Sequence, residues 1–160
     1  LYLVQHAEAV SKQEDPERPI SEEGRANAKK MADHAYHVLH LEIENMLYSR
    51  KLRAKQTAEV FSKSVKPTSS LEQTTDLEPL AEPAIWVERL KEMDGSVMLV
   101  GHMPHLSRLT SALLTGNVEK EVVDFKNAGI VHLERIKKDD WVLQWELTPE
   151  GISKELTFGS

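Results

Sequence analysis

Val97-Met98-Leu99-Val100 is the strongest strand signal in the chain, and it runs directly into Gly101-His102-Met103-Pro104. Four apolar side chains in a row leave no polar face, which is the pattern of a strand covered on both sides in a parallel sheet. Pro104 suits the first turn of a helix, so a helix is predicted over 104–114, and Gly116-Asn117 ends it. The unit is therefore strand, polar turn, helix, with a histidine at the turn.

Two other predicted strands, both earlier in the chain, also lead into polar segments. Leu1 to Gln5 reads as a first strand, short of a residue or two ahead of it, and it leads into His6-Ala7-Glu8. A charged loop with Pro16 and Pro19 fills 7–20. Ser21 is a predicted N-cap with Glu22 and Glu23 behind it, and the spacing of Ala28, Met31, Ala32, Ala35, Val38 and Leu39 predicts a helix over 22–41. Met46-Leu47-Tyr48 is a second strand, followed by Ser49-Arg50-Lys51-Leu52-Arg53 and a helix over 52–63. Pro67 and the Ser/Thr-rich stretch after it read as loop, and a third helix spans 83–93. In the last third, Ala128 to Ile136 and Trp141 to Leu147 flank Asp139-Asp140 as an antiparallel hairpin, with Trp141, Leu143, Trp145 and Leu147 on one side. Strands alternating with helices and then a hairpin predict one α/β domain over 1–160. Its expected form is a three-layer sandwich: a mostly parallel central sheet, helices on both faces, and the hairpin at the carboxyl end.

Composition narrows the function. There are no cysteines, which excludes thiolate chemistry, disulfides and cysteine-held zinc. A net charge of -6, with no run of Lys and Arg, argues against a nucleic-acid partner. No apolar run approaches the ~18 residues that a membrane helix requires. With no export signal at the start, the cytoplasm is the expected compartment.

Three polar clusters follow directly on predicted strands: Gln5-His6-Ala7-Glu8, Ser49 to Thr57, and Gly101-His102-Met103-Pro104. Ligands of open α/β sheets bind beyond the carboxyl ends of the strands. If the three strands are parallel neighbours, His6, Arg53 and His102 share a pocket suited to a phosphoryl group. Arginine offers a planar donor fork to phosphate oxygens, and a neutral histidine can attack phosphorus.

These stretches, in order, resemble the motifs of the histidine phosphatase superfamily. Leu1 to Ala9 resembles its opening strand and Arg-His-Gly motif. Arg18-Pro19-Ile20-Ser21-Glu22-Glu23-Gly24 resembles its Arg-Pro-Leu-Thr-x-x-Gly segment, Ser49 to Ala58 its Ser-x-x-x-Arg-Ala-x-Gln-Thr-Ala segment, and Val100 to Pro104 its second-histidine motif. The short length and Leu77-Glu78-Pro79 are similar to the SixA-type phosphohistidine phosphatases. The resemblance implies His6 as nucleophile, Arg53 and His102 as catalytic and phosphate-binding groups, Arg18 and Gln5 as further phosphate contacts, and no metal or cofactor. It implies a signalling role, with a His-phosphorylated protein such as a phosphotransfer domain as partner and phosphate as product.

Two positions depart from the pattern: Gln5 stands where the superfamily has Arg, and Ala7 where it has Gly. Losing a charge-assisted hydrogen bond of roughly 1.5–3 kcal/mol would lower activity about 10- to 100-fold, unless Arg18 or Arg50 compensates. No acid falls cleanly in place, although Glu78 and Glu82 are near. An alkyl ester needs a proton for its leaving group, whereas a protonated imidazole leaves easily, so the pattern favours phosphohistidine. The alternatives are a small-molecule phosphomonoesterase, a phospho-ligand binding module with little turnover, and an interaction protein in which His6 and His102 lie apart. His34, His37 and His40 are expected on a solvated helix face, and His105 at the rim of the pocket or exposed.

Overall fold

The structure is a computed structural model and describes residues 1–152, so residues 153–160 of the expected domain lie outside the described residues. One sheet of six strands organises it. β1 (Tyr2–Gln5), β2 (Asn45–Tyr48), β3 (Ser70–Gln73), β4 (Val97–Gly101), β5 (Ile130–Lys137) and β6 (Asp140–Leu147) lie in the order β3-β2-β4-β1-β5-β6. The first four are mutually parallel, and β5 and β6 extend the sheet antiparallel from β1. β4 sits between β1 and β2, so the three strands that carry the polar clusters are parallel neighbours, as expected.

The helices are α1 (Glu22–His37), α2 (Leu52–Ser64), α3 (Pro83–Lys91) and α4 (His105–Thr115). Alternation along the strands divides the core. Val4, Met46, Met98 and Val100 face α1 and α2, meeting Ala28, Met31, Ala32 and Ala35 of α1 and Ala54, Ala58 and Phe61 of α2. Leu3, Val97 and Leu99 face the other way, onto Trp86 and Leu90 of α3 and Leu106, Leu109 and Leu113 of α4. The alanines let α1 and α2 sit close to the sheet and to each other. Helices on both faces of a mostly parallel sheet are the expected three layers.

Four details differ from the sequence expectation. α1 stops at His37, because His40 takes a left-handed φ of 52° and Leu41 N–H turns back to Ala35 O. The apolar spacing beyond His37 belongs to that capping turn. Ser70–Gln73, expected as loop, is the edge strand β3, held by parallel pairing to β2; its side chains are largely exposed, so no apolar pattern marked it. The hairpin side chains do not share a side: His132 pairs with Trp145 but Leu133 pairs with Leu143, so Gln144 is bulged out. That extra residue sends Trp145 and Leu147 to the α1–α2 face and Trp141 to the α3–α4 face. Finally, His34 is buried rather than solvated.

Candidate active site

The carboxyl ends of β1, β2 and β4 meet at one place, and backbone hydrogen bonds fix their relative heights. His6 N–H donates to Gly101 O at 3.0 Å and Ser49 N–H to Val100 O at 3.0 Å. These bonds continue the sheet one residue past its strands. They leave the His6 and His102 rings 5.0 Å apart, tilted by 55°.

Each ring has one nitrogen committed to the protein. His6 Nδ1 lies 2.8 Å from Ala7 O. A carbonyl can only accept, so Nδ1 carries the hydrogen and Nε2 of the neutral ring keeps its lone pair. His102 Nε2 lies 2.9 Å from Ser49 Oγ in the interior, while its Nδ1 is buried and has no partner among the described residues.

Two guanidinium groups complete the site. Arg53 lies in the first turn of α2; its guanidinium makes no hydrogen bond to protein among the described residues, and its Nε is buried. Arg18 adopts φ 50°, and its Nε donates to Val10 O at 3.0 Å. Burial, and then the charge of Arg18, lower the basicity of Arg53. Two like charges close enough to disfavour one another, in a chain of net charge -6, mark a site shaped for an anion.

The same surroundings keep both imidazoles neutral. Burial lowers the pKa of His6 to about 4; the Ala7 carbonyl works against this, and Arg53 and Arg18 reinforce it. Burial, followed by His6, Arg53 and Lys51, lowers that of His102 to about 3. Among the described residues, no carboxylate is one of the charges acting on either ring. Glu78 and Glu82 act instead on His105, and Glu78 pairs with Arg50 at 3.3 Å. Arg50 is mostly exposed and does not act on either ring, so Arg18 is the arginine left to offset Gln5. Gln5 ends β1, with its side-chain oxygen buried and without a partner among the described residues.

The structure thus brings together His6, Arg53, His102 and Arg18, with Gln5 beside them in sequence and strand. It corrects the expectation for His105, which is fully buried with neither ring nitrogen partnered among the described residues, because the first turn of α4 points it inward beside Leu106.

Residues with no assigned role at the sequence level hold the site. Thr57 Oγ1 accepts from Ala7 N–H at 2.9 Å and donates to Arg53 O at 2.7 Å, tying the His6 turn to α2. Gln56 Oε1 accepts from Ile20 N–H at 2.8 Å, which holds the loop that carries Arg18. Asn127 Nδ2 donates to His6 O at 2.9 Å. Ser49, Gln56 and Thr57 lay within a quoted motif, so their presence was visible there and their partners were not. Nothing in the sequence singled out Asn127.

No protein-family sequence model matches the chain. An uncharacterised protein of Picosynechococcus sp. is 32% identical over 141 residues, covering 83% of each sequence. Among solved structures, the protein histidine phosphatase SixA in complex with tungstate is similar at TM-score 0.82 and 24% identity, over 92% of this chain and 96% of that one. An Escherichia coli protein described as a putative α-ribazole-5′-P phosphatase is similar at TM-score 0.74 and 15% identity, over 92% and 96%. Sequence and fold together place the chain in one family with the Picosynechococcus protein, a family built on the histidine phosphatase fold.

Proposed function

We propose that this protein is a metal-independent phosphatase acting on phosphohistidine in a protein substrate, with His6 as nucleophile. The observation that carries the proposal is the pairing of an imidazole whose Nε2 lone pair is free with two guanidinium groups that converge on it, Arg53 without any protein acceptor among the described residues. SixA, with the same fold, holds tungstate, a tetrahedral oxyanion.

In the first step, Nε2 of neutral His6 attacks phosphorus in line. The new Nε2–P bond forms as the bond from phosphorus to the substrate imidazole breaks, and that imidazole, which enters already protonated on its other ring nitrogen, leaves as a neutral ring. Arg53, Arg18 and His102 hold the phosphoryl oxygens as charge spreads over them. In the second step, water attacks phosphorus, the Nε2–P bond breaks and phosphate departs. His6 returns to its neutral form with Nδ1–H still on Ala7 O.

That no carboxylate of the described residues acts on the charge of either ring supports an N–P over an O–P substrate, since an alkoxide needs a proton donor to leave. The second reading, a small-molecule phosphomonoesterase, draws on the fold shared with the protein described as a putative α-ribazole-5′-P phosphatase. A third, a phospho-ligand binding module, draws on Gln5. The proposal places the protein in the cytoplasm and in signalling through a phosphotransfer domain.

The test is phosphate release from a phosphohistidine protein and from para-nitrophenyl phosphate, with chelator present, by the native chain and its His6→Ala and Gln5→Arg variants. Turnover favouring the phosphoprotein, lost in His6→Ala and raised about 10- to 100-fold by Gln5→Arg, is expected. Release from the ester alone would select the second reading. Binding of vanadate without any turnover would select the third.

A further inference from the structure

Ser49 lies between the end of β2 and the start of α2, and it is fully buried. Its Oγ is 2.9 Å from His102 Nε2 and 3.4 Å from Lys51 N. The Lys51 N–H can only donate, so Oγ accepts from it. The serine hydroxyl has one hydrogen to give, and among the described residues its other hydrogen-bonding contact is His102 Nε2. A buried donor left without an acceptor costs about 1–3 kcal/mol. The arrangement with every group used is therefore Oγ–H donating to Nε2. Nε2 then holds the lone pair, and the ring hydrogen of the neutral imidazole sits on Nδ1.

We propose that Ser49 is a positioning residue that fixes His102 in its Nδ1–H tautomer, so that the second imidazole meets the phosphoryl group as an uncharged N–H donor rather than as an imidazolium. The bonding of Nδ1 agrees with this. It is buried, has no partner among the described residues, and belongs to the ring 5.0 Å from His6. A hydrogen there is a donor that no described residue takes up and that an anion reaching it would accept from, whereas a lone pair there would repel an anion. Burial and the neighbouring cations, which hold His102 below its ordinary pKa, act in the same direction.

The two histidines then divide the work through their hydrogen bonds. Ala7 O takes the His6 hydrogen away from the site and leaves a lone pair on Nε2. Ser49 fills the His102 lone pair away from the site and leaves a hydrogen on Nδ1. Positive charge then comes from Arg53 and Arg18, with Lys51 also acting on His102, rather than from either imidazole. This inference rests on the phosphatase reading for what Nδ1 meets, but the tautomer can be measured without it.

The experiment is a two-bond proton–nitrogen correlation spectrum of histidine-labelled protein at about pH 7, with His102 assigned by its loss in a His102→Gln variant. Native His102 is expected to show a protonated Nδ1 and a lone-pair Nε2. Ser49→Ala is expected to release the ring toward the Nε2–H form and to lower phosphate release from a phosphohistidine protein about 10- to 100-fold. Ser49→Thr, which keeps the hydroxyl, is expected to retain the native pattern and recover most of the rate. A native His102 found as the Nε2–H form or as an imidazolium overturns the inference, and with normal phosphate release it leaves the phosphatase reading standing. An Nδ1–H ring in a protein that releases phosphate from no phosphohistidine or ester substrate overturns the phosphatase reading and keeps the Ser49 lock.

Discussion

At His6, one hydrogen bond and two neighbouring charges decide what the ring can do. The Ala7 carbonyl chooses the nitrogen that keeps its lone pair, and burial with Arg53 and Arg18 keeps the ring neutral down to a pKa of about 4. An imidazole with that pKa is almost wholly unprotonated at neutral pH. The proton resonance of His6 should therefore titrate near pH 4 in the free protein, not at the ordinary 6.5. Inorganic phosphate or vanadate, by placing negative charge between the rings and the guanidinium groups, should move it upward. A free-protein midpoint at 6.5, or one indifferent to the anion, would contradict this account of the site. His6, Arg53, His102 and Arg18 were legible because their types are the ones phosphate requires and each follows a strand or a recognisable segment. Thr57, Gln56 and Asn127 were not, because a hydroxyl or amide acts here through a single distance to a backbone group far away in sequence.

Among the elements, the start of α1 shows how tightly the frame grips the His6 turn. Ser21 caps the helix by accepting from Gly24 N–H at 3.0 Å, and its own N–H donates to Glu8 O at 2.8 Å. A Cβ on Gly24 would run into that same Glu8 carbonyl, two residues past His6. Gly24→Ala should then cost about 1–3 kcal/mol, a fall of roughly 3–10 °C in Tm by thermal unfolding, and should also slow phosphate release by displacing the His6 turn. An unchanged Tm would show that the helix can shift freely on the turn. The strands and helices that the sequence marked are those with apolar runs or helical spacing. β3 escaped notice because an edge strand four residues long, mostly exposed, has little apolar pattern to display. The Gln144 bulge escaped because alternation along β6 continues through it in sequence while the side chains change faces.

For the molecule as a whole, the layered α/β frame was readable from the order of elements, and convergence of the clusters followed once β1, β4 and β2 proved to be neighbours. Its acid stability follows from histidines held neutral in the interior. Burial first, against partial compensation by Glu78, lowers the pKa of His105 to about 4. A group that binds its proton more weakly when folded favours unfolding as pH falls. Its full stability is present above about 6.5, is lost between there and about 4, and changes little further below. Since neither His105 nitrogen has a protein partner among the described residues, His105→Leu should leave stability near neutral pH about unchanged. It should reduce the loss of unfolding free energy between neutral pH and pH 4 by roughly 2–3 kcal/mol, read from denaturant curves at each pH. An identical acid slope in the variant would mean that His105 is not kept neutral by the fold. If His6 carries the phosphoryl group during turnover, the phosphorylated ring can be trapped. Brief mixing with a protein labelled on phosphohistidine, followed by alkaline quenching and mass mapping, should find phosphate on Nε2 of His6, and none in the His6→Ala variant. Turnover that proceeds with His6 never phosphorylated, or that survives in His6→Ala, would contradict the account.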